Sequence, residues 1–361
     1  MSIKKDKHYI NLANNLALNS NGYSGPNPSV GAVVVKNDEI ISFGNTSISG
    51  RPHAEVNALN KLSKKEKKNS TIYISLEPCS HYGKTPPCVN KLIESQIKRV
   101  VYSINDIDNR TSGKAFKILK TKNIKVKKNL LKNFSTKIYK NYFYSKKKRI
   151  PYVYGKLAIS KDFYIKDKKN LYITNEHSRK ATHVIRSKVN CILTTYKTIN
   201  ADNPKLNCRI NGLYNSSPHV AILDKNLCIE KKSFVVLNAK KNKTYLFYNK
   251  QNKKIVNYLK AKKIKMIYTP LYNEELDINF ILKNLYKHEI SSVLIEGGKS
   301  LTYSLLNNDY FNEFYLFISS KYLKNKGILK VSNIKSSLST KFQNIKFNET
   351  FLDKDNLIHY Y

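Results

Sequence analysis

The sequence predicts an α/β protein built from two unlike domains, and three observations carry that reading. The chain has 361 residues, long for one ordinary domain and comfortable for two, each able to bury its own core. Apolar runs of strand length alternate along it with amphipathic stretches of helical period. The polar run Lys146-Lys147-Lys148-Arg149 interrupts that pattern, and Ile150-Pro151-Tyr152-Val153-Tyr154 starts a new strand behind it. The expected domains are therefore 1–147 and 148–361. No internal repeat relates the halves, so two different α/β domains are expected, not a duplication.

In the first domain the runs at 30–35, 71–76 and 99–104 read as strands. The stretches at 7–18, 54–62, 88–95 and 114–121 read as helices, giving a helix-covered sheet. In the second, Asn190-Cys191-Ile192-Leu193, His219-Val220-Ala221-Ile222-Leu223, Ser292-Val293-Leu294-Ile295 and Phe314-Tyr315-Leu316-Phe317-Ile318 are the strand candidates.

The chemistry is concentrated in the first domain. His53-Ala54-Glu55, Pro78-Cys79 and Cys88 supply one imidazole, two thiols and a carboxyl. One imidazole and two thiolates hold Zn²⁺ at three corners and leave the fourth for water, whose pKa falls to about 7. Glu55, two residues past the ligand histidine, is placed to move the proton from that water to a leaving nitrogen. Each part alone is ordinary, since a lone His-x-Glu is weak and cysteines are often small buried hydrophobes. Context decides otherwise. Pro52-His53-Ala54-Glu55-Val56-Asn57-Ala58-Leu59 has apolar residues at helical spacing, so ligand and glutamate fall on a first helical turn. Thr71-Ile72-Tyr73-Ile74-Ser75-Leu76 alternates like a strand and delivers Cys79 at its end. Pro86-Pro87 presets a helix start at Cys88, where the dipole favours a thiolate. The expectation is a hydrolytic deaminase with one Zn²⁺ per chain.

Eight residues separate Cys79 from Cys88, more than the Cys-x-x-Cys of ordinary cytidine and nucleic-acid deaminases. Pro26-Asn27-Pro28-Ser29-Val30-Gly31-Ala32-Val33-Val34, the His53-Ala54-Glu55 helix, and Leu76-Glu77-Pro78-Cys79-Ser80-His81 through Pro86-Pro87-Cys88 together resemble the RibD family. Its members are bifunctional riboflavin-biosynthesis proteins that deaminate a diaminohydroxyphosphoribosylaminopyrimidine and then reduce its ribosyl side chain with NADPH. The resemblance implies a cytidine-deaminase-like α/β/α domain followed by a dihydrofolate-reductase-like α/β domain. It implies substrate contacts at Asn27, Lys84, Asp106 and Asp108, the last two in a segment, Asp106-Ile107-Asp108-Asn109-Arg110, that departs from the family's Asp-Pro-Asn-Pro. His81 is assigned to loop or substrate contact, because a catalytic zinc keeps one position open.

The second half carries the reductase resemblance. Lys156-Leu157-Ala158-Ile159-Ser160-Lys161-Asp162 is similar to that fold's first strand and turn, and His183-Val184-Ile185-Arg186 to a helix with a substrate-phosphate arginine. Thr198 through Arg209 is similar to the family's Thr-Val-Leu-Ala-Asp-Asp-Pro-x-Leu-Thr-x-Arg. The resemblance implies NADPH contacts at Ala158, Tyr172, Thr198, Asp202, Gly298, Lys299 and Ser300. Substrate contacts are implied at Asn170, Arg186, Leu206, Arg209 and Glu296. Glu296-Gly297-Gly298-Lys299-Ser300-Leu301 ends a strand and opens a helix, a geometry suited to a cofactor pyrophosphate. The chain departs from the pattern at Phe163, where a glycine of positive φ is usual, at Tyr172 for tryptophan, at Lys225 for a small hydroxyl residue, and by two residues fewer between Ile165 and Tyr172.

A net charge of +40 invites a nucleic-acid reading. All but seven of the 65 basic residues are lysines spread along the chain, which is compositional drift more than a binding stripe, and no specific nucleic-acid partner is expected. The drift makes arginine informative, since it marks sites that need a planar, multidentate donor. Arg51, Arg110, Arg179, Arg186 and Arg209 lie in or beside motif segments, while Arg99 and Arg149 read as surface residues. Five cysteines without an export signal argue against a disulfide framework, and Cys191, Cys208 and Cys228 are expected to be small buried hydrophobes. No run reaches membrane-spanning length. The expected partner is a phosphorylated pyrimidine, the expected location cytoplasmic, and the expected assembly a homo-oligomer. Three alternatives stand beside this reading: a deaminase with a non-catalytic second domain, a nucleoside or tRNA deaminase with a basic tail, and an RNA-binding accessory protein with structural zinc.

Overall fold

The computed structural model describes every residue except 1, 21, 23, 26, 171, 242 and 349–351, and residues 49 and 348 by backbone alone. Pro26, one of the two prolines flanking Asn27, thus lies outside the described residues. The chain divides into two compact units, Met1–Arg149 and Ile150–Tyr361.

The first unit is a five-stranded sheet in the order Glu39–Asn45, Gly31–Lys36, Thr71–Ile74, Arg99–Tyr102, Lys125–Lys127. Gly31–Lys36 is antiparallel to both of its neighbours, and Thr71–Ile74, Arg99–Tyr102 and Lys125–Lys127 run parallel to one another. Strand alternation sorts the core into two faces. Val33, Val35, Tyr73 and Val101 pack against Tyr9, Ile10 and Ala13 of the Ile3–Asn19 helix. Ala32, Val34, Ile72, Ile74 and Val100 pack against Ala54, Ala58, Val89, Leu92 and Leu119 of the helices Ala54–Leu59, Cys88–Glu94 and Lys114–Thr121. All the strands and helices expected here form.

The elements that went unread include the short Lys64–Lys67 helix and the three-residue Lys125–Lys127 strand, together with three longer ones. Glu39–Asn45 is an edge strand with mostly exposed residues, so it lacks a clean alternation. Lys132–Ile138 and Lys140–Lys148 are helices whose lysines mask their period, and the run expected to interrupt the pattern is the last turn of the second one, closed by Arg149 in the left-handed region.

Two features seat the helices. Asp6 is fully buried and is gripped through both oxygens by Arg99 at 2.7 Å each, with Lys127 and Tyr73 each at 2.9 Å. Arg99 is therefore no bland surface residue, because its fork ties a helix to the strand it starts. Gly44 carries the Ala54–Leu59 helix directly on its Cα, and a Cβ there would lie 2.6 Å from both the Ala54 carbonyl oxygen and the Ala58 nitrogen.

In the second unit a nine-stranded sheet runs Lys265–Tyr268, Thr244–Tyr248, His219–Leu223, Cys191–Thr195, Ser292–Ile295, Tyr152–Ile159, Glu313–Ile318, Asn356–Tyr360, Ile345–Asn348. The first seven are parallel and the last two antiparallel. All four strand candidates are found, and Cys191, Ile192, Leu193, Val293 and Leu294 are buried on both faces, as helix-covered parallel strands require. Ser292–Ile295 returns between Cys191–Thr195 and Tyr152–Ile159, so the strand order reverses there, and the carboxyl ends at that reversal are where open α/β sheets bind ligands. Cys191 and Cys208 are buried as expected; Cys228 is exposed, contrary to expectation, in the loop after Asp224. Among the described residues no helix is long and apolar enough to cross a membrane.

Burial raises the Asp6 carboxyl, but the bonds from Arg99, Lys127 and Tyr73 outweigh it and hold the pKa at about 2. A folded-state pKa below the unfolded value near 4 gives stability that is complete above about pH 4 and lost as pH falls towards 2, up to about 2.5 kcal/mol. Acid titration of thermal melting should show this limb in the wild type and a flattened one in Asp6→Asn. Gly44→Ala should destabilise the first unit by roughly 1–3 kcal/mol, since only backbone faces the added carbon, and should lower zinc retention measured by metal analysis.

Candidate functional site

His53 caps the Ala54–Leu59 helix in an extended conformation, Cys79 follows the Thr71–Ile74 strand through Leu76-Glu77-Pro78, and Cys88 is the first residue of the Cys88–Glu94 helix. The three converge. His53 Nδ1 lies 3.3 Å from Cys88 Sγ and 3.6 Å from Cys79 Sγ, and all three ligand atoms fall within 4.8 Å of one another. A tetrahedral Zn²⁺ bound at about 2.05 Å to nitrogen and about 2.3 Å to sulfur separates such atoms by about 3.6 Å, so the donor set fits zinc in type and spacing. The Cys88 amide donates to Cys79 Sγ at 3.2 Å, steadying that sulfur from the helix start that carries the second one.

Glu55 sits in the same first turn as the ligand histidine and is 3 % exposed. Burial pushes its carboxyl up, so it holds a proton more readily than an exposed glutamate.

Around this centre the expected contacts are held by local bonds. Asn27 Nδ2 donates to the Gly50 carbonyl at 2.8 Å, tying its turn to the segment that leads into His53. Lys84 is exposed on the loop between the cysteines, and His81 lies 3.0 Å from the Thr111 hydroxyl. Asp106 is buried and accepts from the Asp108 amide and the Tyr142 hydroxyl, both at 3.0 Å. Asp108 accepts from Arg110 Nε at 2.9 Å and Nη2 at 2.6 Å, and this fork holds its carboxyl well below the usual carboxylate range. Sequence reasoning missed Glu77, whose carboxylate accepts the amides of Asp106, Gly113 and Ala115 at 3.2, 3.0 and 3.2 Å. It pins the Asp106 loop to the segment that bears Cys79. A glutamate just before Pro78-Cys79 was the available signal.

In the second unit the carboxyl ends of the central strands gather a charged cluster. Glu296 follows Ser292–Ile295 and takes Arg186 Nε at 2.6 Å and Nη2 at 2.9 Å. Burial raises the Glu296 carboxyl, but the Arg186 charge outweighs it and holds the pKa at about 2. Asn207 organises the neighbours: its carbonyl accepts from Arg186 Nη1 at 3.2 Å and lies 3.0 Å from His183 Nδ1, while its side-chain oxygen accepts from Arg209 at 2.7 Å. Burial together with Arg186 and Arg209 pushes His183 down to about 4, leaving it neutral at pH 7. Arg209 is exposed, and partial burial and repulsion from Arg186 lower its pKa, a local excess of positive charge suited to an anion. Leu206 is buried with φ 47°. Lys156, one residue past the Gly155–Ile295 pairing, is pushed down by burial and feels the charges of Glu296 and Arg186; sequence reasoning gave it no role.

The cofactor candidates are more dispersed. Gly298 caps the Lys299–Asn307 helix, a Cβ there would meet nothing within 4 Å, and Lys299 and Ser300 are exposed in its first turn. Thr198 donates its amide to Thr195 Oγ1 at 3.3 Å at the start of Tyr196–Asp202, and Asp202 ends that helix, paired with Lys166 at 2.6 Å. Ala158 lies in the Tyr152–Ile159 strand, Asn170 donates to Asp167 at 2.8 Å, and the exposed Tyr172 ring stacks under Arg179 at 4.7 Å. These residues lie on the Tyr152–Ile159 strand, on the Tyr196–Asp202 and Lys299–Asn307 helices and in the flanking loops. Phe163 does take positive φ, at 70°, and Lys225 Nζ donates to the Glu274 carbonyl.

Residues 3–104 match the cytidine and deoxycytidylate deaminase zinc-binding region, and residues 151–347 match the RibD C-terminal domain. The riboflavin biosynthesis protein RibD of Aquifex aeolicus is 33% identical over 346 residues, which cover 94% of this chain and 95% of that protein. That of Bacillus amyloliquefaciens is 32% identical over 316 residues, covering 87% and 84%. Among solved structures, Acinetobacter baumannii RibD superposes with a TM-score of 0.84 at 25% identity over 99% of each chain. The Thermotoga maritima diaminohydroxyphosphoribosylaminopyrimidine deaminase/5-amino-6-(5-phosphoribosylamino)uracil reductase does so with 0.81 at 28% identity, over 99% of this chain and 98% of that one. The first unit is thus cytidine-deaminase-like and the second dihydrofolate-reductase-like. The chain belongs to the RibD family of bifunctional riboflavin-biosynthesis enzymes, with a zinc-dependent pyrimidine deaminase in its first unit and an NADPH-dependent reductase in its second.

Proposed function

We propose that His53, Cys79 and Cys88 hold one Zn²⁺ per chain and that Glu55 is the proton carrier for hydrolytic deamination of 2,5-diamino-6-(5-phosphoribosylamino)pyrimidin-4-one. The observation that carries this is the convergence of the three ligand atoms within 4.8 Å beside a buried glutamate. Bound zinc supplies a water acidic enough to attack at neutral pH. With zinc bound, Glu55 would accept one proton as the new C–O bond forms at the carbon bearing the 2-amino group and deliver it to the amino nitrogen, whose bond to that carbon breaks as ammonia leaves, while the remaining hydroxyl proton passes to a ring nitrogen of the oxo product. Asn27, Lys84, Asp106 and Asp108 bind and orient the pyrimidine and its phosphoribosyl arm.

In the second unit Ala158, Tyr172, Thr198, Asp202, Gly298, Lys299 and Ser300 hold NADPH, with the pyrophosphate at the open helix start that Gly298 caps. Asn170, Arg186, Leu206, Arg209 and Glu296 bind the deaminated intermediate. Arg186 acts as a pair with Glu296, because two of its three nitrogens already hold that carboxylate. Arg209, whose charge is met by a neutral asparagine, grips the phosphate. Hydride transfer to the ribosyl carbon needs mainly orientation, so none of the departures at Phe163, Tyr172 or Lys225 removes an obligatory acid or base. The enzyme works in the cytoplasm as a homo-oligomer on a small phosphorylated pyrimidine, without a specific nucleic-acid partner. Turnover of the diaminopyrimidinone phosphate, followed with and without NADPH, tests both halves in one assay.

Glu55→Gln should bind zinc at wild-type stoichiometry, lose deamination by about 10²–10⁴-fold and still oxidise NADPH with the deaminated intermediate. Cys88→Ser should fall below one zinc per chain by metal analysis, and equal stoichiometry in both proteins would remove Cys88 from the site. Arg209→Lys should leave deamination unchanged and raise KM for the intermediate about tenfold in the NADPH assay, since a point charge does not reproduce a planar fork. Wild-type KM in that variant would take the phosphate away from Arg209.

A further inference from the structure

Residues 105–150 lie between the two family matches, and within them the Lys140–Lys148 helix turns one face to the Asp106–Asp108 loop. Tyr142 and Lys146, four residues apart and so on that one face, reach two carboxylates that are themselves two residues apart. The Tyr142 hydroxyl donates to Asp106 Oδ1 at 3.0 Å, and Lys146 Nζ lies 3.4 Å from Asp108 Oδ2. The helix is anchored independently: Tyr142 and Phe143 pack on the core of the first unit, and Tyr139, fully buried just ahead of them, bonds to the Ser75 hydroxyl at 2.6 Å. Asp106 is meanwhile held from the other side, its amide donating to Glu77 at 3.2 Å. The loop is clamped between the segment that bears Cys79 and a helix that lies beyond the zinc-binding region in sequence.

We infer that Tyr142 is a positioning residue for deamination, its hydroxyl fixing the Asp106 carboxylate so that Oδ2 faces the substrate. The bonds from the Asp108 amide and from Tyr142 both land on Oδ1. Without the Tyr142 bond the buried carboxylate keeps only the backbone amides of Asp108 and Ile107 and can rotate about its terminal torsion, which is broad and two-fold. Asp108 does not depend on the helix in the same way, because Arg110 grips it through both oxygens at 2.9 and 2.6 Å. The inference rests on the substrate role proposed above for Asp106.

The test is a double-mutant cycle on the full-length zinc enzyme, with deaminase KM and kcat measured on the diaminopyrimidinone phosphate for wild type, Tyr142→Phe, Asp106→Ala and the double variant. Tyr142→Phe keeps the packed ring and deletes the hydroxyl. It should raise KM about five- to tenfold, a fraction of what a whole bond to a charged group is worth, with kcat within twofold, zinc content unchanged and reduction of the deaminated intermediate unchanged. In the Asp106→Ala background the same change should cost less than twofold. Lys146→Gln should shift KM less than twofold in the wild-type background. A wild-type KM in Tyr142→Phe, beside a raised one in Asp106→Ala, overturns the inference and leaves the Asp106 reading standing. Additive effects in the double variant, or a Tyr142→Phe loss that tracks with falling zinc content and melting temperature, overturn it in favour of a general stabilising role. An unchanged KM in Asp106→Ala removes the substrate role of Asp106, and the inference with it.

Discussion

The deaminase site depends on how closely a six-residue helix lies on a strand. Ala54–Leu59 is too short to be stable alone, and its place is set by backbone contact with Gly44 and by Ala54, Ala58 and Leu59 packed on the sheet. Because His53 caps that helix and Glu55 lies in its first turn, the seat on Gly44 fixes the imidazole and the Glu55 carboxyl as one rigid piece. The thiols arrive separately, one from a strand end and one from a helix start, and the Cys88 amide joins them by its bond to Cys79. Convergence therefore needs only three local geometries, each written in a short stretch of sequence.

That locality explains what was legible. His-x-Glu on an apolar helical period, an alternating strand ending in Pro-Cys, and Pro-Pro before Cys are short-range patterns, and every strand and helix they implied is present. What could not be read are pairings that bring together residues far apart in sequence. Arg99 looked like a surface residue because its partner, Asp6, stands 93 residues earlier, and Arg186 looked like a bare phosphate ligand because Glu296 stands 110 residues later. Glu77 braces a loop almost thirty residues on, and its place before Pro78-Cys79 marks it without saying which loop it holds. Cys228 failed for the opposite reason: a small hydrophobe in a loop has no periodic context to bury it, and it is exposed.

The reductase half shows how a departure from pattern is absorbed. Phe163 sits at φ 70°, where a side chain costs about 1–2 kcal/mol relative to glycine. The ring is not idle: it packs against the core of the second unit, with the Lys335 ammonium 5.5 Å from its centre. Partial burial of a phenylalanine contributes a similar amount in the other direction, so turn and strand keep their course. The turn is further held by Asp162, which accepts the amides of Leu323 and Lys324 at 3.0 and 2.7 Å. Lys225 is accommodated more simply, by reaching the Glu274 carbonyl.

Charge follows the same logic of geometry before quantity. In a chain whose formal charge is +40 lysines are abundant, yet three carboxylates with positional work to do are gripped by arginine. Arg99 on Asp6, Arg110 on Asp108 and Arg186 on Glu296 each use two nitrogens on two oxygens, and each fixes an orientation that a lysine point charge would leave free. One of these forks seats a helix on the sheet, one shapes the loop at the deaminase centre, and one orders the strand end of the reductase. Lysine at Asp6 and Asp108 is an addition to a fork already made, from Lys127 and Lys146, and supplies field without direction. Arg99, Arg110 and Arg186 thus mark three places where this protein needs direction, and the exposed Arg209, whose guanidinium meets the neutral side chain of Asn207, is where the proposal above places a ligand's anion.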